Sequence, residues 1–168
     1  DPDAVSAIFV AKGRPADNPL IVHVASREAV RGLVHESFWR SSESVELFER
    51  LVERFWPGPL SLVLPRSERV PDVVTGGLDS VAIRMPDNTV ALGLIHESGV
   101  PVAAPSANLS GRPSPTLADH VLEDLDGRVD LVLDAGPTGI GLESTVLDIT
   151  RRPPVLLRPG GITLEELL

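Results

Sequence analysis

Apolar residues recur along the chain in two rhythms. From Ser80 to Met85 they alternate with polar or small ones, which puts Val81, Ile83 and Met85 on one side and Ser80, Ala82 and Arg84 on the other. A period of two is that of a strand. From Ser42 to Trp56 the apolar set is Val45, Phe48, Leu51, Val52 and Phe55, with glutamates and arginines between. That spacing makes one face of a helix and predicts a core-packing helix. The same reading opens a helix at Asp1-Pro2, as an N-cap with proline in the first turn, and closes it near Gly13. It predicts strands over 21–25, 60–64, 80–85, 100–104, 129–134, 144–149 and 155–157, and helices over 89–98 and 115–125. Alternation in the middle implies parallel pairing, and the strand-rich last third implies antiparallel additions. The expected fold class is α/β, a single-domain twisted mixed parallel/antiparallel sheet flanked by helices, with no internal repeat or linker.

The 168 residues, 42% hydrophobic and 23% charged, suffice for one domain with a core of its own. No apolar run approaches the roughly 20 residues of a membrane helix, and no charged-then-apolar leader opens the chain. A cytoplasmic protein is the expectation. Without cysteine there are no disulfides, thiolate metal sites or cysteine nucleophiles. The net charge of -9 argues against coating nucleic acid by bulk electrostatics, so direct RNA binding is expected to be weak, local or absent. One of the fifteen basic residues is lysine, Lys12. It is either a chance survivor in an arginine-biased chain or a position that requires a compact ammonium.

Several common chemistries fail on their own requirements. Gly139-Ile-Gly-Leu-Glu-Ser144 lacks the last glycine of a dinucleotide fingerprint and leads into a strand. The one lysine is not in a phosphate-loop context. His35-Glu36 and His96-Glu97 each lack the second histidine of a helical zinc site, and no Gly-x-Ser-x-Gly elbow exists.

Five polar clusters remain, each on or next to an expected strand: Lys12 to Pro19 with His23 beyond, Trp56 to Ser61, Ser80 to Pro86, Pro105 to Thr116, and Glu143 to Asp148 with Leu157 to Gly161. Loops at strand ends are where α/β proteins bind ligands, and these donors suit a polar, anionic small molecule. Each cluster also has a plainer reading. Lys12 and Gly13 fit a helix C-cap, His23 alone fits a packed or surface histidine, the Trp56 cluster fits a rigid turn, and Arg84 fits a structural ion pair.

Taken together and in order, the clusters resemble the YrdC-like L-threonylcarbamoyladenylate synthase family. The matching pieces are Lys12-Gly-Arg-Pro15 through Asn18-Pro-Leu20 and His23, Pro57-Gly-Pro59, Val81-Ala-Ile-Arg-Met-Pro86, Ser106-Ala-Asn108 with Ser110-Gly111 and Ser114-Pro-Thr116, Ser144-Thr-Val146, and Arg158-Pro-Gly160. They run over essentially the whole chain.

The resemblance implies synthesis of L-threonylcarbamoyladenylate from L-threonine, bicarbonate and ATP with release of pyrophosphate. The product would pass to a tRNA threonylcarbamoyl transferase complex, and Mg2+ would accompany ATP. It implies nucleotide contacts at Arg14, Asn18, Ser80, Asn108, Thr116 and Arg158. Contacts to threonine or its carbamate would come from His23, Arg84, Ser106 and Ser144. Lys12 and Arg14 would be the catalytic cations, Lys12 helping to hold phosphate. Family members carry a Thr-x-Thr-Val-Tyr-Gly-Leu type segment ahead of the first helix, and longer ones a second domain. Neither is in these 168 residues, so the expectation is a synthase domain lacking its N-terminal strand segment. A nucleotide- or RNA-binding module without catalysis is the competing reading.

Overall fold

A computed structural model describes residues 1–168. The chain forms α1 (Pro2–Lys12), β1 (Ile21–His23), a 3-10 turn (Glu28–Gly32), α2 (Glu36–Trp39), α3 (Ser42–Phe55), β2 (Leu60–Pro65), α4 (Asp72–Thr75), β3 (Ser80–Arg84), α5 (Thr89–Ser98), β4 (Val102–Ala104), α6 (Ala118–Leu125), β5 (Thr145–Asp148), β6 (Val155–Arg158) and α7 (Leu164–Leu167). The strands make one six-stranded sheet in the order β4-β1-β3-β2-β5-β6. Pairs β1–β3 and β2–β5 are parallel, and pairs β1–β4, β2–β3 and β5–β6 antiparallel.

Register explains how the sheet holds together. Ile83 lies opposite both Val22 and Leu62, and Leu62 opposite Leu147, so a buried aliphatic row crosses four strands on one face. Each fully buried side chain of this kind stabilises the fold by about 1.5–3 kcal/mol. Val5 and Phe9 of α1 and Phe48, Leu51 and Val52 of α3 join the same core. Helix α3 starts where the Ser41 hydroxyl accepts the Ser44 N–H. It carries Phe48 edge-on to Phe38, Trp39 and Trp56, with ring centres 5.6–6.2 Å apart, a favoured aromatic geometry. The opposite face of the sheet carries no such layer and becomes the floor of a cleft.

Helix α1 is bounded as its sequence implies. The Asp1 carboxylate accepts the Asp3 and Ala4 N–H groups, and Gly13 caps the other end at φ 60, where a side chain would be strained.

Three expectations change. Residues 129–134 form no strand: Val129, Leu131 and Leu133 are exposed, and 132–134 line the wall of a cleft without pairing to any strand. Alternation cannot tell a strand from an extended wall segment. The helix expected from 115 begins at Ala118: its N-cap Leu117 is extended, and ahead of it the Thr116 carbonyl accepts the Thr138 N–H at 3.0 Å in place of a helical bond. β4 is antiparallel to β1 and β2 antiparallel to β3, so the parallel reading of the middle holds for β1–β3 alone; in the last third β5–β6 is antiparallel as expected, but β5 joins β2 in parallel.

Candidate active site

The cleft has a volume of about 850 Å³. Its floor is the alternate set of strand residues, Ile21 and His23, Val63, Ser80, Ala82 and Arg84, and Val146. Its walls come from α5, the loop after β4 and the segment 132–144. Pairing places the chemistry in line. His23 is opposite Arg84, Ser61 opposite Val146, and Val146 opposite Arg158. A histidine and two guanidinium groups therefore lie along one row across the sheet, because side chains on one face repeat every second residue.

Each cation is oriented by the backbone. The Arg84 Nε donates to the Gly58 carbonyl at 2.9 Å, and the Gly58 N–H returns a bond of 2.9 Å to the Met85 carbonyl, so the Pro57-Gly-Pro59 turn aims the guanidinium. Arg14 donates to the carbonyls of Asn18 (3.2 Å) and Pro19 (2.9 Å). Arg158 donates to the Ser144 carbonyl from Nε (3.0 Å) and Nη2 (2.9 Å) and to the Ser144 hydroxyl (3.0 Å). That hydroxyl also shares a 2.8 Å bond with the buried Ser61. The remaining amino group of Arg158 meets the Glu143 carboxylate at 2.8 Å, and Glu143 accepts the Ser114 hydroxyl at 3.0 Å. Gly160 lets this network close. A Cβ there would sit 2.3 Å from the Glu143 carbonyl oxygen and 2.5 Å from Ser144 C and Thr145 N.

Burial and mutual repulsion concentrate the positive field. Desolvation and then Arg158 lower the pKa of Arg84, against the attraction of Asp87. Desolvation lowers that of Arg14, with Arg158 adding to it and Glu143 opposing it. Burial, reinforced by the Arg84 guanidinium, pushes the His23 imidazole down to about 4, so it is neutral at pH 7. Its Nδ1 is buried without a hydrogen-bond partner. A site that gathers guanidinium groups in a partly dry cleft attracts anions strongly.

Of the eleven residues singled out in the sequence, Arg14, Asn18, His23, Ser80, Arg84, Ser106, Thr116, Ser144 and Arg158 line the cleft. Lys12 and Asn108 do not; Lys12 lies buried beneath the loop after β4, and Asn108 is a buried residue of that loop. The Lys12 ammonium donates to the carbonyl oxygens of Ser106 and Asn108 and reaches Asn108 Oδ1 at 3.4 Å. Asp124 of α6 accepts the Leu109 N–H at 2.9 Å and pairs with Arg112 from the far side. The sequence placed Ser61 and Glu143 inside two of the polar clusters without giving either a role, and it passed over Asp124, which lies outside every cluster.

The Sua5/YciO/YrdC family model, described as telomere recombination, matches residues 1–160. The chain belongs to the Sua5/YciO/YrdC family. Within that family it is 59% identical over 167 residues to the threonylcarbamoyl-AMP synthase of Pyrococcus abyssi, covering 99% of this chain and 47% of that protein. It is 55% identical to the Bacillus subtilis threonylcarbamoyl-AMP synthase, covering 98% of this chain and 46% of the relative. The chain thus spans about half the length of these relatives. The crystal structure of Pyrococcus abyssi Sua5 complexed with L-threonine superposes with a TM-score of 0.92 at 59% identity, over 99% of this chain and 47% of that one. The mixed sheet flanked by helices is therefore the YrdC-like fold, as expected. No helix is long and apolar enough to cross a membrane.

Proposed function

We propose that this chain carries the threonylcarbamoyl-AMP synthase activity of its family, joining L-threonine, bicarbonate and ATP and releasing pyrophosphate. The observation that carries the reading is the convergence of Arg14, Arg84 and Arg158 on one cleft that also holds a neutral histidine. The naming of its 59% and 55% identical relatives and the threonine complex of one of them support it. A cleft of about 850 Å³ lies within the range of ligand sites, with room for a nucleotide beside an amino acid.

The chemistry asks for placement more than for covalent help. Threonine's amine takes up bicarbonate carbon with loss of water to form a carbamate, and a carbamate oxygen displaces pyrophosphate from the α-phosphorus of ATP. Two anions must meet, and fixed guanidinium groups offset their repulsion while holding them in line. Arg84, with Nε anchored on Gly58, has its two amino groups left to hold the threonine carboxylate. His23, neutral at pH 7, does not repel the amino group. Arg14, Asn18, Ser80, Thr116 and Arg158 face the same space and are assigned to the nucleotide, with Ser106 and Ser144 toward threonine. Mg2+ would enter with ATP. The cleft-lining acids are Asp87, Asp134 and Glu143, no three metal-ligating side chains cluster, and phosphate and water would supply most of its ligands. The product would leave for a tRNA threonylcarbamoyl transferase complex in the cytoplasm.

The test is pyrophosphate release from Mg-ATP with L-threonine and bicarbonate each supplied or withheld. Release that requires both is expected. Nucleotide binding with no release under any combination would leave a binding module instead.

A further inference from the structure

The only lysine of the chain sits in a buried polar knot. Its ammonium donates to the carbonyls of Ser106 and Asn108, while its own carbonyl accepts the Ser110 N–H at 2.9 Å. Asn108 Nδ2 closes the loop by donating to the carbonyls of Leu109 (3.0 Å) and Arg112 (2.7 Å). A compact ammonium with three protons fits between these acceptors, where a planar guanidinium would not.

That grip has a consequence on the other side of the peptide. In a trans peptide the C=O and N–H point in opposite directions, and the Ser106–Ala107 bond is trans. With the Ser106 carbonyl drawn down onto Lys12, the Ala107 N–H points up, away from the buried ammonium. Ala107 is exposed and lines the cleft, and its N–H has no partner within the protein. The same constraint on the next gripped peptide sends the Leu109 N–H to Asp124, so that donor is used.

We infer that Lys12 is a positioning residue, not a phosphate contact: it turns the Ala107 N–H into the cleft as a main-chain donor for an anionic oxygen of the substrate. The inference rests on the reading of the cleft as the substrate site. The oxygen belongs either to a phosphate or to the amino-acid carboxylate or carbamate. A fixed N–H costs no reorganisation when charge arrives, as in an oxyanion hole.

The experiment is a two-dimensional amide NMR titration of the 15N-labelled chain, first with inorganic pyrophosphate and then with L-threonine. The Ala107 amide is expected to shift among the most strongly perturbed signals with at least one of them. A response to pyrophosphate identifies phosphate, and a response to threonine alone identifies the carboxylate. In Lys12→Met the ligand that moves Ala107 should bind about tenfold more weakly, the scale of one lost charge-assisted bond. Its Ala107 shift should vanish while the Arg14 side-chain signal still responds, and Lys12→Arg should not restore it. Should Lys12→Met fail to fold, the wild-type titration decides. If other cleft amides move and Ala107 does not, the inference is overturned and the substrate site stands. If no cleft signal moves with either ligand, both fall.

Discussion

The neutrality of His23 makes stability depend on pH in a calculable way. In the unfolded chain this imidazole titrates near 6.5, and in the fold burial and the Arg84 guanidinium hold it at about 4. Above pH 6.5 it is neutral in both states and its contribution is complete. As pH falls from 6.5 toward 4 the unfolded chain takes up a proton that the folded one refuses, and stability drops. The full separation is worth about 3.4 kcal/mol at 1.36 kcal/mol per pH unit, of which about 2 kcal/mol is lost by pH 5. The other three histidines are exposed. Urea unfolding of wild type and His23→Gln at pH 7.5 and pH 5 isolates the effect, because carboxylate titrations are common to both proteins. With a slope of about 2 kcal/mol per molar urea, the wild-type midpoint should fall by about 1 M more than that of the variant. Equal pH dependence in the two proteins would refute the reasoning, and would mean that His23 is hydrated or paired and free to ionise.

Three further outcomes follow from the same geometry. Arg84→Lys keeps the charge but loses both the Nε anchor on Gly58 and the two-pronged grip, so calorimetry should show threonine affinity reduced at least tenfold with ATP affinity little changed. Ser144→Ala leaves the buried Ser61 hydroxyl without its partner and removes one bond to Arg158. It should lower unfolding free energy by about 1–3 kcal/mol and reduce pyrophosphate release, measured on the same preparation. Gly160→Ala places a methyl group 2.3–2.5 Å from backbone atoms of Glu143, Ser144 and Thr145, none of which is a flexible chain end. A loss of about 1–3 kcal/mol is expected as a lowered thermal midpoint, together with weaker ligand binding as the Ser144 turn shifts.

Glu143 is the acid that balances the cleft's cations. It occupies the free amino group of Arg158 and ties it to Ser114 on the opposite wall. Its carboxylate thus offsets part of the positive charge that Arg158 brings to the cleft.

Local patterning was enough to define much of the molecule. The α3 face of Phe48, Leu51 and Val52, the alternation of β3 and the caps of α1 all follow from short-range periodicity and stereochemistry, which a chain carries wherever it is placed. The order and combination of polar clusters likewise marked nine residues that the fold brings to one cleft. Tertiary structure alone decided the rest. Whether Val129, Leu131 and Leu133 formed a strand depended on a ladder partner far along the chain, and they have none. Whether Lys12 faced phosphate or carbonyl groups depended on a loop 94 residues away folding over it. Ser61, Asp124 and Glu143 acquire their roles from partners 83, 15 and 29 residues distant. Such pairings belong to the sheet register and the packing of α6, and no window of sequence contains them.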